Sequence, residues 1–220
     1  NLINKSIFNK ISNEKSTNIN PFPKVNENIN DNINSFPKVT ENINDSINKS
    51  LNEFGIETEI KCFTDGGCFN NGKKGARAGY GVFFGDNDER NIAEKVLSKQ
   101  TNNVGELMAI LRALEILIKD KKNKYKIELY TDSKYCLQIF EKHYNKFNKL
   151  CQPWINKWRM TNFKNIKNVD IIKKIDLLLK KFNNLKFIHV RSHQVKPNNI
   201  NSQEYKIWYG NEQADKLANK

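Results

Sequence analysis

The sequence predicts an α/β fold built on a mixed β-sheet, and three observations lead to this fold class. Residues 59–67, 78–85 and 92–98 predict three strands that follow one another through short turns, as in an antiparallel meander. The apolar residues of 104–120 then recur at helical spacing. A fourth strand, 126–131, follows this helix, and the right-handed crossover rule places it parallel to the first strand.

The remaining elements complete the α/β pattern. A short helix is predicted at 137–140, a longer helix at 170–182 and a fifth strand at 185–190. The loop at 194–210 is long, and loops of this length are usually functional or mobile. The last helix is predicted to begin at the N-cap Asn211, so that it has barely begun where the chain ends.

The charge of the chain indicates a polyanionic partner. Lys and Arg number 37 against 24 Asp and Glu, which gives a net charge of +13. Lysines balance acids within residues 1–55, so the whole excess lies in 56–220. Residues 142–168 interleave basic with aromatic residues, a composition that suits a nucleic-acid backbone. The alternative is an amphipathic hairpin whose aromatic side chains, Trp158 above all, belong to the core.

Residues 1–55 differ from the rest of the chain in composition. They are dominated by Asn, Ile, Lys and Ser, and the decapeptide that begins at Phe22 returns at Phe36, fourteen residues later. Two copies of so short a segment cannot bury a core of their own. We therefore expect a low-complexity tail, mostly disordered or marginally helical, with a docking peptide as the alternative and its partner unknown.

Cysteine usage and hydropathy bear on the compartment. Cys62, Cys68, Cys136 and Cys151 show no Cys-x-x-Cys spacing, which fits reduced thiols better than a zinc site or a disulfide framework. No apolar run has the length of a membrane span, and no signal-peptide pattern opens the chain. We expect an intracellular protein without a membrane partner, and the sequence leaves both cytoplasm and nucleus open.

Four acidic residues stand at the ends of predicted elements. Asp65 ends the first strand and Asp132 the fourth, while Glu106 lies in the first turn of a helix and Asp215 in the last helix. Each has an ordinary explanation alone, as a turn residue, an N-cap, a dipole partner or a surface ion pair. The carboxyl ends of adjacent parallel strands meet at one edge of a sheet, however, so Asp65 and Asp132 are expected side by side.

Two histidines accompany the fifth predicted strand. His189 lies within the strand, and a structural role is expected for it. His193 follows the strand and opens the long loop. Since imidazole titrates near neutral pH, His193 is the better candidate for handling a proton or a product.

These residues form motifs that resemble those of the type 1 ribonuclease H family. In chain order the motifs are Thr64-Asp65-Gly66-Gly67, Gln100-Thr101-Asn102-Asn103-Val104-Gly105-Glu106-Leu107, Leu129-Tyr130-Thr131-Asp132-Ser133, His189-Val190-Arg191-Ser192-His193 and Gly210-Asn211-Glu212-Gln213-Ala214-Asp215. The likeness covers about residues 58–220. It implies a ribonuclease H domain over 56–220, with a five-stranded mixed sheet in the order 3-2-1-4-5 and helices on both faces. It also implies a monomeric endonuclease that hydrolyses the RNA strand of RNA–DNA hybrids and leaves 5′-phosphate and 3′-hydroxyl ends.

The resemblance further implies roles for single residues. Asp65, Glu106, Asp132 and Asp215 would bind two Mg²⁺ ions, with Mn²⁺ as an alternative metal and Asp65 shared by both ions. His193 would assist proton transfer or product departure. Four carboxylates so close together would repel one another, which predicts at least one raised carboxyl pKa when no cation is bound.

Substrate-binding positions are carried over in the same way. In the minor groove of the hybrid, the resemblance implies contacts from Gly66, Cys68, Asn71 and Asn103. Lys99 and Thr101 are expected to bind a DNA phosphate. Trp154 and Trp158 are expected to lie along the DNA strand. Lys99 stands where the family commonly has Arg, and the segments 144–153 and 193–215 are longer than usual. Two alternatives stay open, namely a ribonuclease H domain of a reverse transcriptase-like protein and a catalytically inactive hybrid-binding module.

Overall fold

The computed structural model of the chain describes residues 59–145 and 147–220. Its strands are β1 (Glu59–Phe69), β2 (Arg77–Phe83), β3 (Ile92–Lys95), β4 (Lys126–Thr131), β5 (His143–Tyr144), β6 (Leu150–Cys151) and β7 (Asn184–His189). Its helices are α1 (Asn102–Lys119), α2 (Lys134–Phe140), α3 (Trp154–Met160), α4 (Val169–Leu179) and α5 (Gln203–Ala218). The expectations for residues 1–55 fall outside the described residues and stay predictions.

Five strands form one mixed sheet in the order β3-β2-β1-β4-β7. β1 pairs antiparallel with β2, as does β2 with β3, whereas β4 runs parallel to both β1 and β7. β5 and β6 form a separate hairpin, so β7 is the fifth strand of the sheet. The predicted fold class and the predicted strand order are therefore confirmed.

Helices cover both faces of this sheet, as predicted. The larger apolar cluster joins Leu129 of β4 to Leu107 of α1 and Ile172 of α4. A smaller cluster joins Tyr130, the next residue of β4, to Ala214 of α5. Successive side chains of a strand point to opposite faces, so the two clusters lie on opposite sides of the sheet. Among the described helices, none is long and apolar enough to cross a membrane.

The last helix differs from the prediction. α5 begins at Gln203 and is 16 residues long, so the predicted start at Asn211 is wrong and the loop that follows β7 ends at residue 202. Ser202 is the N-cap, because its hydroxyl oxygen accepts a hydrogen bond from the backbone N–H of Tyr205 at 3.0 Å. The additional length between His193 and Asp215 is thus partly helical.

Residues 142–168 contain two distinct elements. His143 pairs with Cys151 in the β5–β6 hairpin, and Trp154 begins α3 directly afterwards. Ile155 of α3 is buried in the larger apolar cluster. The segment is therefore a small hairpin followed by a helix that is anchored in the core.

Candidate active site

Three of the predicted metal ligands meet at one edge of the sheet. Asp65, Glu106 and Asp132 each offer a carboxylate oxygen, and these oxygens lie within 4.8 Å of one another. Asp65 and Glu106 are buried, with 7% and 5% of their surfaces exposed, while Asp132 is half-buried. We call these three residues the acid cluster.

Sheet register places Asp65 beside Asp132. β1 and β4 run parallel, and Thr64 pairs with Thr131, so the next residue of each strand is an aspartate at the same level. The Thr64 hydroxyl also donates a hydrogen bond to the backbone oxygen of Tyr130 at 3.2 Å, which links the two strand ends. This is the side-by-side placement that the strand order predicts.

A contact between two backbones brings Glu106 to the same place. A Cβ atom at Gly66 would lie 2.0 Å from the backbone nitrogen of Glu106, so α1 can approach β1 only because residue 66 has no side chain. Gly105 completes the contact, since a Cβ atom there would lie 3.1 Å from Gly66 Cα. The start of α1 therefore lies directly on β1, with Glu106 beside Asp65.

Asp215 approaches from the other face of the sheet. Gly81 lies opposite Asp65 in the β1–β2 register, and a Cβ atom at Gly81 would lie 2.2 Å from the backbone oxygen of Ala214. α5 thus touches the sheet at the residue before Asp215. The charge of Asp215 raises the pKa of Asp65 and of Asp132, which places it next to them, although its carboxylate is not part of the acid cluster.

Negative charge is disfavoured in the acid cluster when no cation is bound. Burial, and then the charges of Asp132 and Asp215, raise the pKa of Asp65 to about 7. Burial, and then the charges of Asp65 and Asp132, raise the pKa of Glu106 well above its usual range. Burial also raises the pKa of Asp132, against the opposing charge of His193. The predicted direction is therefore correct, but burial contributes more than repulsion.

The donor set fits a hard divalent cation. All three side chains are carboxylates, and Mg²⁺ binds oxygen ligands rather than sulfur. Glu106 Oε2 is buried and has no hydrogen-bond partner among the described residues, while Asn102 Nδ2 donates to Glu106 Oε1 at 3.5 Å. A buried oxygen without a partner is costly, and a bound cation would remove that cost.

His193 lies in the segment between β7 and α5 and is exposed. Its φ of 51° is in the left-handed region, which is uncommon for residues other than glycine, so the surrounding contacts must hold it there. Its charge lowers the pKa of Asp132, which places it near the acid cluster. The indole nitrogen of Trp208 donates to the backbone oxygen of Gln194 at 3.0 Å, one residue after His193.

The residues predicted to reach the minor groove lie on β1, on the loop after it and on α1. Asn71 Oδ1 accepts a hydrogen bond from the backbone N–H of Asn102 at 3.2 Å, which brings Asn71 next to Asn103. Cys68 is half-buried on β1. Gly66 is already required by its contact with α1, so packing accounts for this glycine whatever it contributes to RNA binding.

The two residues predicted at a DNA phosphate lie just before α1. Thr101 is the N-cap of that helix, and its hydroxyl oxygen accepts from the backbone N–H of Val104 at 3.3 Å. A hydroxyl group can accept and donate at the same time, so capping leaves its hydrogen for a phosphate. Lys99 is exposed two residues earlier. Phosphate binding by these residues stays a prediction.

Trp154 and Trp158 form an aromatic pair on α3. Their ring centres lie 5.9 Å apart, and Trp154 also packs edge-on against His143 and Tyr135. Both indoles are half-buried against the larger apolar cluster, so the core alternative holds for part of each ring. The remainder lines an open groove of about 590 Å³.

Three residues that position the site were not predicted from the sequence. Gly81 and Gly105 allow α5 and α1 to approach the sheet. Asn219 Nδ2 donates to Asp215 Oδ1 at 3.0 Å and to the Asp215 backbone oxygen at 2.9 Å, which orients that carboxylate. A glycine inside a predicted strand is the signal that could have identified Gly81, because it often marks close backbone approach.

Comparison with known proteins identifies the family. The model of the RNase H family matches residues 57–220. A ribonuclease H of Clostridium botulinum is 32% identical over 166 residues, covering 73% of this chain and 93% of that protein. A ribonuclease H of Schizosaccharomyces pombe is 35% identical over 162 residues, covering 71% of this chain and 50% of that protein. The solution structure of the PFV RNase H domain has the same fold, with a TM-score of 0.51, 21% identity, and coverage of 73% of this chain and 92% of that domain. On the family match and the relative from C. botulinum, the chain belongs to the RNase H family.

Proposed function

We propose that this protein is an endonuclease that hydrolyses the RNA strand of RNA–DNA hybrids and leaves 5′-phosphate and 3′-hydroxyl ends. The observation that carries this proposal is the acid cluster, in which three separate elements bring carboxylates within 4.8 Å. The relatives from C. botulinum and S. pombe are both named ribonuclease H. The net charge of +13 suits a polyanionic substrate.

Two divalent cations, Mg²⁺ or Mn²⁺, are proposed as cofactors. Asp65, Glu106 and Asp132 would hold one ion, and Asp65 together with Asp215 would hold the other. Asp65 is the natural shared ligand, because both Asp132 and Asp215 influence its pKa. When bound, the cations supply the positive charge that activates water and stabilises the leaving 3′ oxygen in such sites.

The protein's own residues prepare the site for this chemistry. The raised pKa values of Asp65 and Glu106 mean that cation binding must release protons, so loading becomes easier as pH rises. His193 is proposed to carry a proton on a ring nitrogen and deliver it to the departing product. Its exposure and its proximity to Asp132 suit that role.

Recognition of the hybrid is proposed to use the residues around the acid cluster. Asn71, which accepts a hydrogen bond from the backbone of Asn102, and the following residue Asn103 would contact the minor groove together with Gly66 and Cys68, where the ribose 2′-hydroxyl distinguishes RNA from DNA. The DNA strand would be held by Lys99 and Thr101 at a phosphate and by the paired indoles of α3 along its backbone.

A cleavage assay on matched substrates tests this function. We expect the full chain to cut the RNA of a labelled hybrid in Mg²⁺, to stop when EDTA is added, and to leave double-stranded RNA and double-stranded DNA intact. The product ends can be identified by their susceptibility to phosphatase and ligase. Cutting of double-stranded RNA at an equal rate, or full activity in EDTA, would refute the proposal.

Residues 56–220 are proposed to be sufficient for this activity. The family match begins at residue 57, and charges within 1–55 cancel. Deleting 1–55 is therefore expected to leave the cleavage rate unchanged, whereas a large loss would make the tail a substrate-binding element. Light scattering during gel filtration tests the prediction of a monomer. An inactive hybrid-binding module is the poorer alternative, because such a module has no need of three carboxylates within 4.8 Å of one another.

A further inference from the structure

A second groove lies at the same edge of the sheet as the acid cluster but is built from other residues. It has a volume of about 580 Å³ and runs past the end of β1, the start of β2 and the end of β3 to the last residues of the chain. The side chains that define it are Phe69, Arg77, Lys95, Leu97 and Lys220. We call it the basic groove.

Sheet register aligns the basic groove with the acid cluster. Asp65 and Phe69 are four residues apart on β1, so their side chains project from the same face about 13 Å apart. Phe69 pairs with Arg77 across the β1–β2 ladder, and paired residues share a face. The end of α5 lies over Gly67, which is between Asp65 and Phe69 on that face, so a strand of nucleic acid that leaves Asp65 reaches Phe69 and Arg77 by passing over the exposed Asn219.

Two glycines and the end of α5 form the surface between Asp65 and the basic groove. Gly67 and Gly79 pair with each other, and Gly79 pairs with Lys95 on its other side. A Cβ atom at Gly67 would lie 2.6 Å from Asn219 Oδ1, and one at Gly79 would lie 2.3 Å from the Ala218 backbone oxygen. The end of α5 thus fills the space over both glycines, and side chains rise on either side of it.

The wall of the basic groove is held in place without a ligand. Gln100 Oε1 accepts from the backbone N–H of Ala78 at 2.7 Å, and its Nε2 donates to the backbone oxygens of Val96 and Ser98 at 2.6 Å and 2.9 Å. One half-buried amide therefore joins the start of β2 to the segment after β3. The two edges that carry Arg77 and Lys95 keep a fixed separation.

The groove combines positive charge with exposed apolar surface. Three of its side chains are cationic, and among the described residues that line it there is no Asp or Glu. Phe69 is 70% exposed and Leu97 98% exposed. Cationic side chains together with an exposed aromatic ring are the combination that binds single-stranded nucleic acid, through phosphate contacts and base stacking.

We propose that the basic groove binds a single-stranded continuation of the RNA strand beyond the hybrid duplex. The occupant is a single strand because Phe69 can stack only on a base that is not paired and stacked within a duplex. It is the RNA strand because Phe69 shares a face of β1 with Asp65, against which the scissile strand must lie. This proposal rests on the proposed function.

Equilibrium binding tests the groove. The Asp132→Asn variant in Mg²⁺ keeps the substrate intact, and fluorescence anisotropy gives the Kd for a blunt hybrid and for hybrids extended by RNA at the 5′ end, by RNA at the 3′ end, or by DNA. One of the two RNA extensions is expected to tighten binding about tenfold, as stacking and phosphate contacts allow. Adding Phe69→Ala to this variant should abolish that gain in affinity and leave the Kd for the blunt hybrid unchanged.

Matched variants separate the groove from general effects. Leu177→Ala removes a side chain that is 60% exposed on α4, outside the groove, and should keep the gain. Arg77→Gln should reduce the gain and its salt dependence, whereas Lys186→Gln on the exposed part of β7 should do neither.

The outcomes are distinguishable from those of the proposed function. Cleavage of the blunt hybrid by the unsubstituted chain tests the function alone. If that hybrid is cut but neither RNA extension tightens binding, the groove proposal is overturned and the function stands. An equal gain in the Phe69→Ala variant, or a gain from the DNA extension only, also overturns it. If the blunt hybrid is neither bound nor cut, both proposals fail.

Discussion

The acid cluster and the segment that carries His193 lie next to each other but are built differently. Asp65, Glu106 and Asp132 are fixed by strand pairing and by backbone contacts at glycine, and two of the three are buried. Residues 190–202, which we call the histidine loop, connect β7 to α5 and are mostly exposed. His193 adopts a left-handed backbone conformation there, one residue before the carbonyl that Trp208 binds.

This difference indicates that the two regions have different roles. Regular elements hold the three carboxylates that are proposed to share cations, and they fix the distances between them because backbone contacts tolerate little displacement. The histidine loop holds His193, which is proposed to carry a proton to the product, and a few side-chain contacts suffice for that role. Changes in the acid cluster should therefore abolish chemistry or folding, while changes in the loop should only reduce turnover.

The largest effect is expected from Asp132→Asn. The substitution keeps the size of the side chain but removes one carboxylate, a proposed metal ligand, from the acid cluster. We expect cleavage of a labelled hybrid in Mg²⁺ to fall by about a thousandfold or more, with binding of the hybrid retained. Full activity in this variant would refute the assignment of the metal site.

A methyl group at Gly66 should disrupt the cluster through the fold. Its Cβ atom would meet the backbone of α1 at 2.0 Å, so the helix and Glu106 must shift. We expect Gly66→Ala to lower the free energy of unfolding by about 3 kcal/mol, measured by urea denaturation, and to reduce cleavage strongly. Gly85→Ala is the matched control, because a Cβ atom there meets nothing within 4 Å. Equal stability of the two variants would contradict this account of how Glu106 is positioned.

Most of the sheet and the meeting of the acids follow from local patterns in the sequence. Asp65 and Asp132 end two strands that the right-handed crossover rule places side by side and parallel. Glu106 interrupts the apolar stripe of the predicted helix 104–120. The start of α5 was not predictable in this way. Gly210 looks like a loop residue, yet it lies within α5, where the ring of Phe63 packs in the place of a side chain, with Cε2 2.4 Å from the Cβ position. That contact joins residues far apart in the chain, so no local pattern contains it.

The acid cluster should also make folding depend on pH when no cation is bound. The pKa of Asp65 rises from its usual value near 3.8 to about 7, so the folded chain binds more protons than the unfolded chain between these limits. Stability is then greatest in acid and declines as pH rises through this window. Asp65→Asn removes the contribution of Asp65 to that decline and should raise the free energy of unfolding by roughly 2 kcal/mol at neutral pH, with the difference vanishing below about pH 4.

Urea denaturation in EDTA, repeated across this pH range, measures that difference. Saturating Mg²⁺ should recover stability in the unsubstituted chain, because the cations neutralise the same carboxylates, and should have a smaller effect on Asp65→Asn. If the variant is less stable than the unsubstituted chain at neutral pH, burial of charge does not strain the site.

The smallest effect, and the one specific to the histidine loop, is expected from Trp208→Phe. The phenyl ring keeps an aromatic surface beside the Tyr205 ring and near Lys196 Nζ, which lies 5.9 Å from the indole centre, but it cannot donate to the Gln194 carbonyl. Because the loop then holds His193 less firmly, we expect kcat to fall about tenfold with KM unchanged.

Tyr205→Phe, which alters the neighbouring ring only by one hydroxyl group, serves as the control. In a His193→Ala background, Trp208→Phe should have no further effect if it acts through that histidine. An additive loss would instead show that Trp208 supports the acid cluster, and the contrast between the two regions would no longer hold.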